Sequence, residues 1–158
     1  MGDFFKTLPD KNLTILDLGS RIVDDQQHLG SYKQFCVNSK WVYTGADVES
    51  GWNVDIVLRD GYLFPFANES FDVIISGQTI EHIEYPWVWF KEMARVLRGT
   101  CCIIAPARIK EHKFPIDTFR YYPDGMVALA KWAGLTVEMV SLSNANKDMD
   151  DTVLIAKK

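Results

Sequence analysis

Residues 71–99 read FDVIISGQTIEHIEYPWVWFKEMARVLRG, and they hold one complete strand-to-helix unit. Phe71–Ser76 is a short β-rich apolar run after the turn-like Asn68-Glu69-Ser70, which predicts a buried strand. A helix is predicted from Tyr85 to Leu97. Pro86 suits its first turn, and Phe90, Met93, Ala94 and Leu97 form an apolar stripe at helical spacing. Arg95 and Arg98 complement the helix dipole near its end, and Gly99 is expected to stop it.

The same alternation continues on both sides. Toward the N-terminus, Leu13–Leu18 predicts a buried strand ending at Gly19, and a helix is expected around Leu29–Val37. Strands are then expected at Trp41–Ala46, ending at Asp47, and at Val54–Leu58. Toward the C-terminus, Thr100–Ala105 predicts a strand stopped by Pro106, and Pro123–Ala133 a helix stopped by Gly134. Two last strands, Leu135–Leu142 and Thr152–Lys157, are expected to flank a mobile polar loop at Ser143–Asp151. Strands alternating with helices imply a doubly wound, mostly parallel α/β sheet, with ligands outside the carboxyl ends of its strands. The last two strands lack an intervening helix, so they should pair antiparallel at one edge.

Composition bounds the rest. The chain of 158 residues is 47% hydrophobic and 24% charged, an ordinary globular balance that fits one domain over 1–158. Its net charge of −4 argues against general nucleic-acid affinity. No membrane-length apolar run and no signal-peptide pattern is present, so a cytoplasmic protein is expected. Cys36, Cys101 and Cys102 lack metal-ligand spacing and read as reduced, buried small hydrophobes. In a strand, Cys101 and Cys102 would face opposite ways.

The residues at the strand ends carry the function. Asp17-Leu18-Gly19-Ser20 follows the first strand, Asp47 the second and Asp60-Gly61 the third; Gln78 and then Glu81-His82 follow the fourth. With Phe64-Pro65-Phe66, Phe71-Asp72, Glu81-His82, Pro86, Glu92 and Arg95-Val96-Leu97, the chain resembles a class I S-adenosylmethionine-dependent methyltransferase from about Ile15 to Leu135. That resemblance implies a Rossmann-like sheet, S-adenosyl-L-methionine as cofactor and methyl transfer by in-line displacement, with no metal needed. It places Asp17 at the amino-acid end of the cofactor, Gly19 where the backbone approaches it closely and Asp47 at the ribose hydroxyls, with Ser20 and Val48 also among the cofactor-binding residues. It further places Asp60, Gly61 and Tyr62 beside the adenine and Gln78 near the sulfonium. His82 and His112 become the candidates for acceptor contact and proton transfer.

One departure stands out. The family's first motif, D-x-G-x-G-x-G, is reduced here to Asp17-Leu18-Gly19, with Arg21 and Val23 in the places of the later glycines. A reshaped cofactor loop is therefore expected, and a nicotinamide oxidoreductase is disfavoured because G-x-G-x-x-G is missing. The segment Phe114–Leu135 resembles family members of glycan biosynthesis, which implies a small-molecule or glycan acceptor. Arg108, Lys110, His112, Lys113 and Arg120 lie in or beside the loop after the fifth strand, which would suit an anionic one. Trp52, Trp87 and Trp89 read as packing or rim residues. The competing reading is a noncatalytic relative that keeps the fold as a binding or partner subunit. An oligomer is compatible with either reading.

Overall fold

The computed structural model describes residues 1–23, 30–146 and 149–158. Helix α1 (Gly2–Thr7) precedes strand β1 (Leu13–Leu18), and a 3₁₀ turn at Tyr32–Phe35 precedes β2 (Trp41–Asp47) and β3 (Ile56–Val57). Then follow β4 (Phe71–Gly77), a 3₁₀ turn at Ile80–His82, α2 (Pro86–Val96) and β5 (Leu97–Arg108). The chain finishes with α3 (Pro123–Trp132), β6 (Thr136–Asn146) and β7 (Met149–Lys157). All seven strands form one sheet in the order β3-β2-β1-β4-β5-β7-β6. Strands β1 to β5 pair parallel, and β7 pairs antiparallel with both β5 and β6. This is the doubly wound sheet with an antiparallel edge expected from the sequence.

Side-chain alternation divides the sheet into two apolar faces. Leu16 and Leu18 of β1, Ile74 of β4 and Cys101, Ile103 and Ala105 of β5 point to the side covered by α2 and α3. Leu13, Ile15, Val73, Ile75, Cys102 and Ile104 point to the other, where Phe4 and Phe5 of α1 and the ring of Phe35 cover them. The two neighbouring cysteines thus bury on opposite faces, as a period of two requires. No helix among the described residues is long and apolar enough to cross a membrane.

Much of the block 64–98 is scaffold. Glu92 accepts the Phe64 amide at 2.7 Å, and Arg95 donates to Glu92 and to the carbonyls of Phe64 and Phe66. The pair pins the 64–66 turn to α2. Asp72 accepts the Thr14 amide and hydroxyl and pairs with Arg98, tying β4 to the start of β1 and to β5.

Several boundaries differ from expectation. Helix α1 was not foreseen, because six residues give no measurable periodicity; burial of its two phenylalanines holds it. The helix expected at Leu29–Val37 is a 3₁₀ turn over Tyr32–Phe35, and Leu29 falls outside the described residues. Gly99 does not stop α2. Leu97 turns extended and Gly99 sits inside β5, where a Cβ would strike the Asp72 carbonyl. The polar segment 143–151 is largely strand, since β6 runs to Asn146 and β7 begins at Met149. An exposed edge strand needs backbone pairing rather than apolar residues.

Gly45 of β2 lies against the backbone of Asn53 and the side chain of Ser20. A Cβ there would collide with the Asn53 carbonyl and press on Ser20 Oγ. Gly45→Ala is therefore expected to cost roughly 1–3 kcal/mol in urea unfolding. An unchanged midpoint would show that the Asn53 backbone yields freely at this close approach.

Candidate functional site

The carboxyl ends of β1, β2 and β4 open into a cleft of about 850 Å³. That volume lies within the roughly 300–1,000 Å³ of clefts that hold cofactors and small ligands. Gly19 turns the chain out of β1 at φ +76°, and its amide donates to the Ala46 carbonyl at 2.9 Å. A Cβ on Gly19 would collide with the Thr79 side chain, so bare backbone is obligatory there. Asp47 ends β2 with both carboxylate oxygens engaged. Oδ2 accepts the Arg21 amide and Oδ1 the Glu49 amide, each at 3.1 Å, and each oxygen keeps acceptor capacity at the cleft.

Gln78 follows β4 with a left-handed backbone, φ +55°. Its amide nitrogen donates to the Ile104 carbonyl, and its side chain donates to Asp151 on β7 at 3.0 Å. A non-glycine residue held in that region by two bonds is a position the fold over-determines, as functional sites often do.

The far wall is built by the loop after β5. Asp117 and Arg120 pair bidentately, which holds the Asp117 carboxyl well below its usual range. Asp117 Oδ2 also accepts the His112 amide at 2.7 Å. Thr118 donates its amide and hydroxyl to the Glu81 carbonyl, each at 2.7 Å, and Tyr121 donates its hydroxyl to Ile80. The loop is thereby strapped onto residues 80–83, and the rings of His82 and His112 meet edge to face, centroids 4.9 Å apart.

A family model described as methyltransferase domain matches residues 12–104, more than half of the chain. The chain belongs to the methyltransferase domain family. No curated protein matches it in sequence. Solved structures share the fold at low identity. A SAM-dependent methyltransferase from Aquifex aeolicus is 19% identical, with 93% of this chain and 82% of that one covered at TM-score 0.67. The Burkholderia thailandensis 1,6-didemethyltoxoflavin-N1-methyltransferase, solved with its substrate and S-adenosylhomocysteine, is 11% identical, covering 99% and 76% at TM-score 0.72. The [4+2]-cyclase SpnF is 16% identical, covering 99% and 80% at 0.73. One fold thus serves more than one chemistry.

Of the methyltransferase residues nominated from sequence, Gly19, Asp47, Val48, Gly61, Gln78, His82 and His112 line the cleft. Asp17, Ser20, Asp60 and Tyr62 are not part of its lining; Asp17 and Ser20 are buried, whereas Asp60 is exposed. Ser20 donates its hydroxyl to the Asn53 carbonyl, and Asp60 accepts the Tyr62 amide in a local turn. Tyr62 packs its ring against Tyr85. Asp17 is buried beneath the β1 turn, where Tyr43 donates to Oδ2 at 2.6 Å and Oδ1 has no protein partner. Burial pushes its carboxyl up to about 7.

Arg21 and Val23, in the places of the missing glycines, both line the cleft. Thr79 and Trp89 line it as well. Trp89 is almost fully buried, whereas Trp52 and Trp87 lie exposed. Thr79 carried no sequence signal of its own; its role appears only through its contact with Gly19. The cations in and around the loop after β5 are largely paired: Arg108 with Asp150, Arg120 with Asp117 and Lys113 with Glu111. Those pairs offset much of the positive charge that the bare sequence displays.

Proposed function

We propose that this methyltransferase-family chain acts as one domain that binds S-adenosyl-L-methionine and methylates a small-molecule acceptor, sugars and glycans included. The carrying observation is Asp47, whose carboxylate stands at the cleft beside the bare backbone of Gly19. Two fixed oxygens suit two ribose hydroxyls, and a turn without room for a Cβ suits close cofactor approach. The buried, partnerless Oδ1 of Asp17 suits the cationic amino group, reached directly or through water. Val48 and Gly61 flank the adenine side, with Asp60 and Tyr62 shaping the turn behind them. Ser20 holds the loop from below. When bound, the cofactor supplies a methyl carbon activated by positive sulfur. The chain's own residues align the partners and exclude water, with Gln78 set toward the reacting centre and His82 and His112 toward the acceptor.

The second reading, a noncatalytic partner subunit, is favoured by the side chains of Arg21 and Val23 inside the cleft. Turnover separates the two. Labelled methyl transfer to a panel of hydroxyl- and carboxyl-bearing sugars and small metabolites is expected to yield product with at least one, suppressed by S-adenosylhomocysteine. Cofactor binding with no product across the panel would favour the partner reading.

A further inference from the structure

Glu81 is fully enclosed, and neither Oε1 nor Oε2 has a hydrogen-bond partner. Leaving both oxygens of a buried carboxyl unpaired carries the full cost of stripping them of water. His82 Nε2 and His112 Nε2 each lie 3.8 Å from Glu81 Oε1, beyond hydrogen-bond reach. One ligand atom from each of the three residues falls within 4.8 Å of the others.

The ring protons are placed by their partners. His82 Nδ1 sits 2.6 Å from the Ile116 carbonyl, and His112 Nδ1 sits 3.3 Å from the Lys110 carbonyl. Carbonyls only accept, so both rings donate through Nδ1 and present Nε2 as a lone pair. Two imidazole lone pairs and one unpartnered carboxylate therefore converge from nearly perpendicular rings. Backbone carbonyls behind ligating histidines are the usual outer support of a metal centre.

We propose that Glu81, His82 and His112 bind a divalent transition-metal ion of the Zn²⁺ class, with the remaining coordination position open to the cleft. Two histidines, one glutamate and an open position are a donor set zinc accepts. Ligand atoms about 2.0–2.1 Å from a tetrahedral ion lie roughly 3.3 Å apart, so the 3.8 Å separations close by small side-chain rotations. An oxygen of water or of a bound molecule would fill the open position. Metal binding stands independently of methyl transfer; the part that rests on that reading is that the acceptor would meet the ion rather than bare imidazoles.

Chelator-stripped protein titrated calorimetrically with Zn²⁺ is expected to bind one ion per chain, at least about 100-fold more tightly than Mg²⁺, given the nitrogen donors. Co²⁺ substitution should give visible bands without thiolate charge transfer. His112→Ala and Glu81→Gln should each weaken Zn²⁺ at least about 10-fold, with unchanged far-UV circular dichroism confirming the fold. Absence of stoichiometric Zn²⁺ binding overturns the proposal, as does wild-type affinity in both variants. S-adenosylmethionine affinity measured on the same samples reports separately on the cofactor reading.

Discussion

Asp47→Ala is expected to weaken S-adenosylmethionine binding by roughly 10–100-fold, the loss that follows from removing hydrogen bonds worth about 1.5–3 kcal/mol to a charged acceptor. The carboxylate organises the site twice over. It faces the cleft and also holds the Arg21 and Glu49 amides. Part of the loss will therefore come from a loosened loop, and Asp47→Asn separates the contributions. The amide keeps one acceptor oxygen, so it should lose less than alanine. Glu49→Ala serves as the local control, because its partially exposed ion pair with Arg21 adds little. Calorimetric titration of the three variants reads this out; equal affinity in Asp47→Ala and wild type would remove Asp47 from the site.

Asp17→Asn is expected to make the free protein more stable and the cofactor complex weaker. The Asp17 carboxyl titrates near 7 in the fold because it is buried, yet near 4 in the unfolded chain. Between those values the folded state holds the extra proton, so the stability contributed by this group is full below about pH 4 and declines as pH rises toward 7. Asparagine removes that slope. The variant should match wild type at low pH and exceed it by about 4 kcal/mol at pH 8, the linkage value for a carboxyl moved from near 4 to near 7, because an incompletely partnered buried charge is relieved. Tyr43 can still donate to the amide oxygen. Cofactor affinity should fall about 10-fold, because the anionic partner for an ammonium group is gone. Thermal melts across pH and titration at pH 8 test both halves. A variant less stable at pH 8 would show that the Tyr43 bond outweighs the burial cost.

The fold was legible because the sheet's interior is apolar and periodic. Phe71–Ser76 and Leu13–Leu18 bury nearly every side chain, and α2 carries a clear stripe. The edges were harder. Strand β3 forms only two residues, and β6 is exposed along most of its length, so hydrophobic pattern gave little guidance there. In the candidate site, Gly19, Asp47 and Gln78 were legible because strand ends face the cleft in this architecture. Glu81 and His82 are adjacent in sequence, but His112 joins them only because Thr118 and Tyr121 fasten the loop onto residues 80–83. No spacing rule reports a contact made across thirty residues by such straps. The resemblance implied methyl transfer with no metal needed, and the cysteines carry no metal-ligand spacing; Cys101 and Cys102 are buried on opposite faces and Cys36 is half-buried, whereas Glu81, His82 and His112 come together across the loop. Asp72, Glu92 and Arg95, which carried much of the family resemblance, serve the scaffold rather than the cleft.

The central claim, that this cleft is built for S-adenosylmethionine, is tested most directly by calorimetric titration of the purified protein with S-adenosylmethionine, S-adenosylhomocysteine and NAD. The account predicts micromolar one-to-one binding of the first two and no heat from the dinucleotide. Binding of NAD, or of neither adenosyl compound, would contradict it.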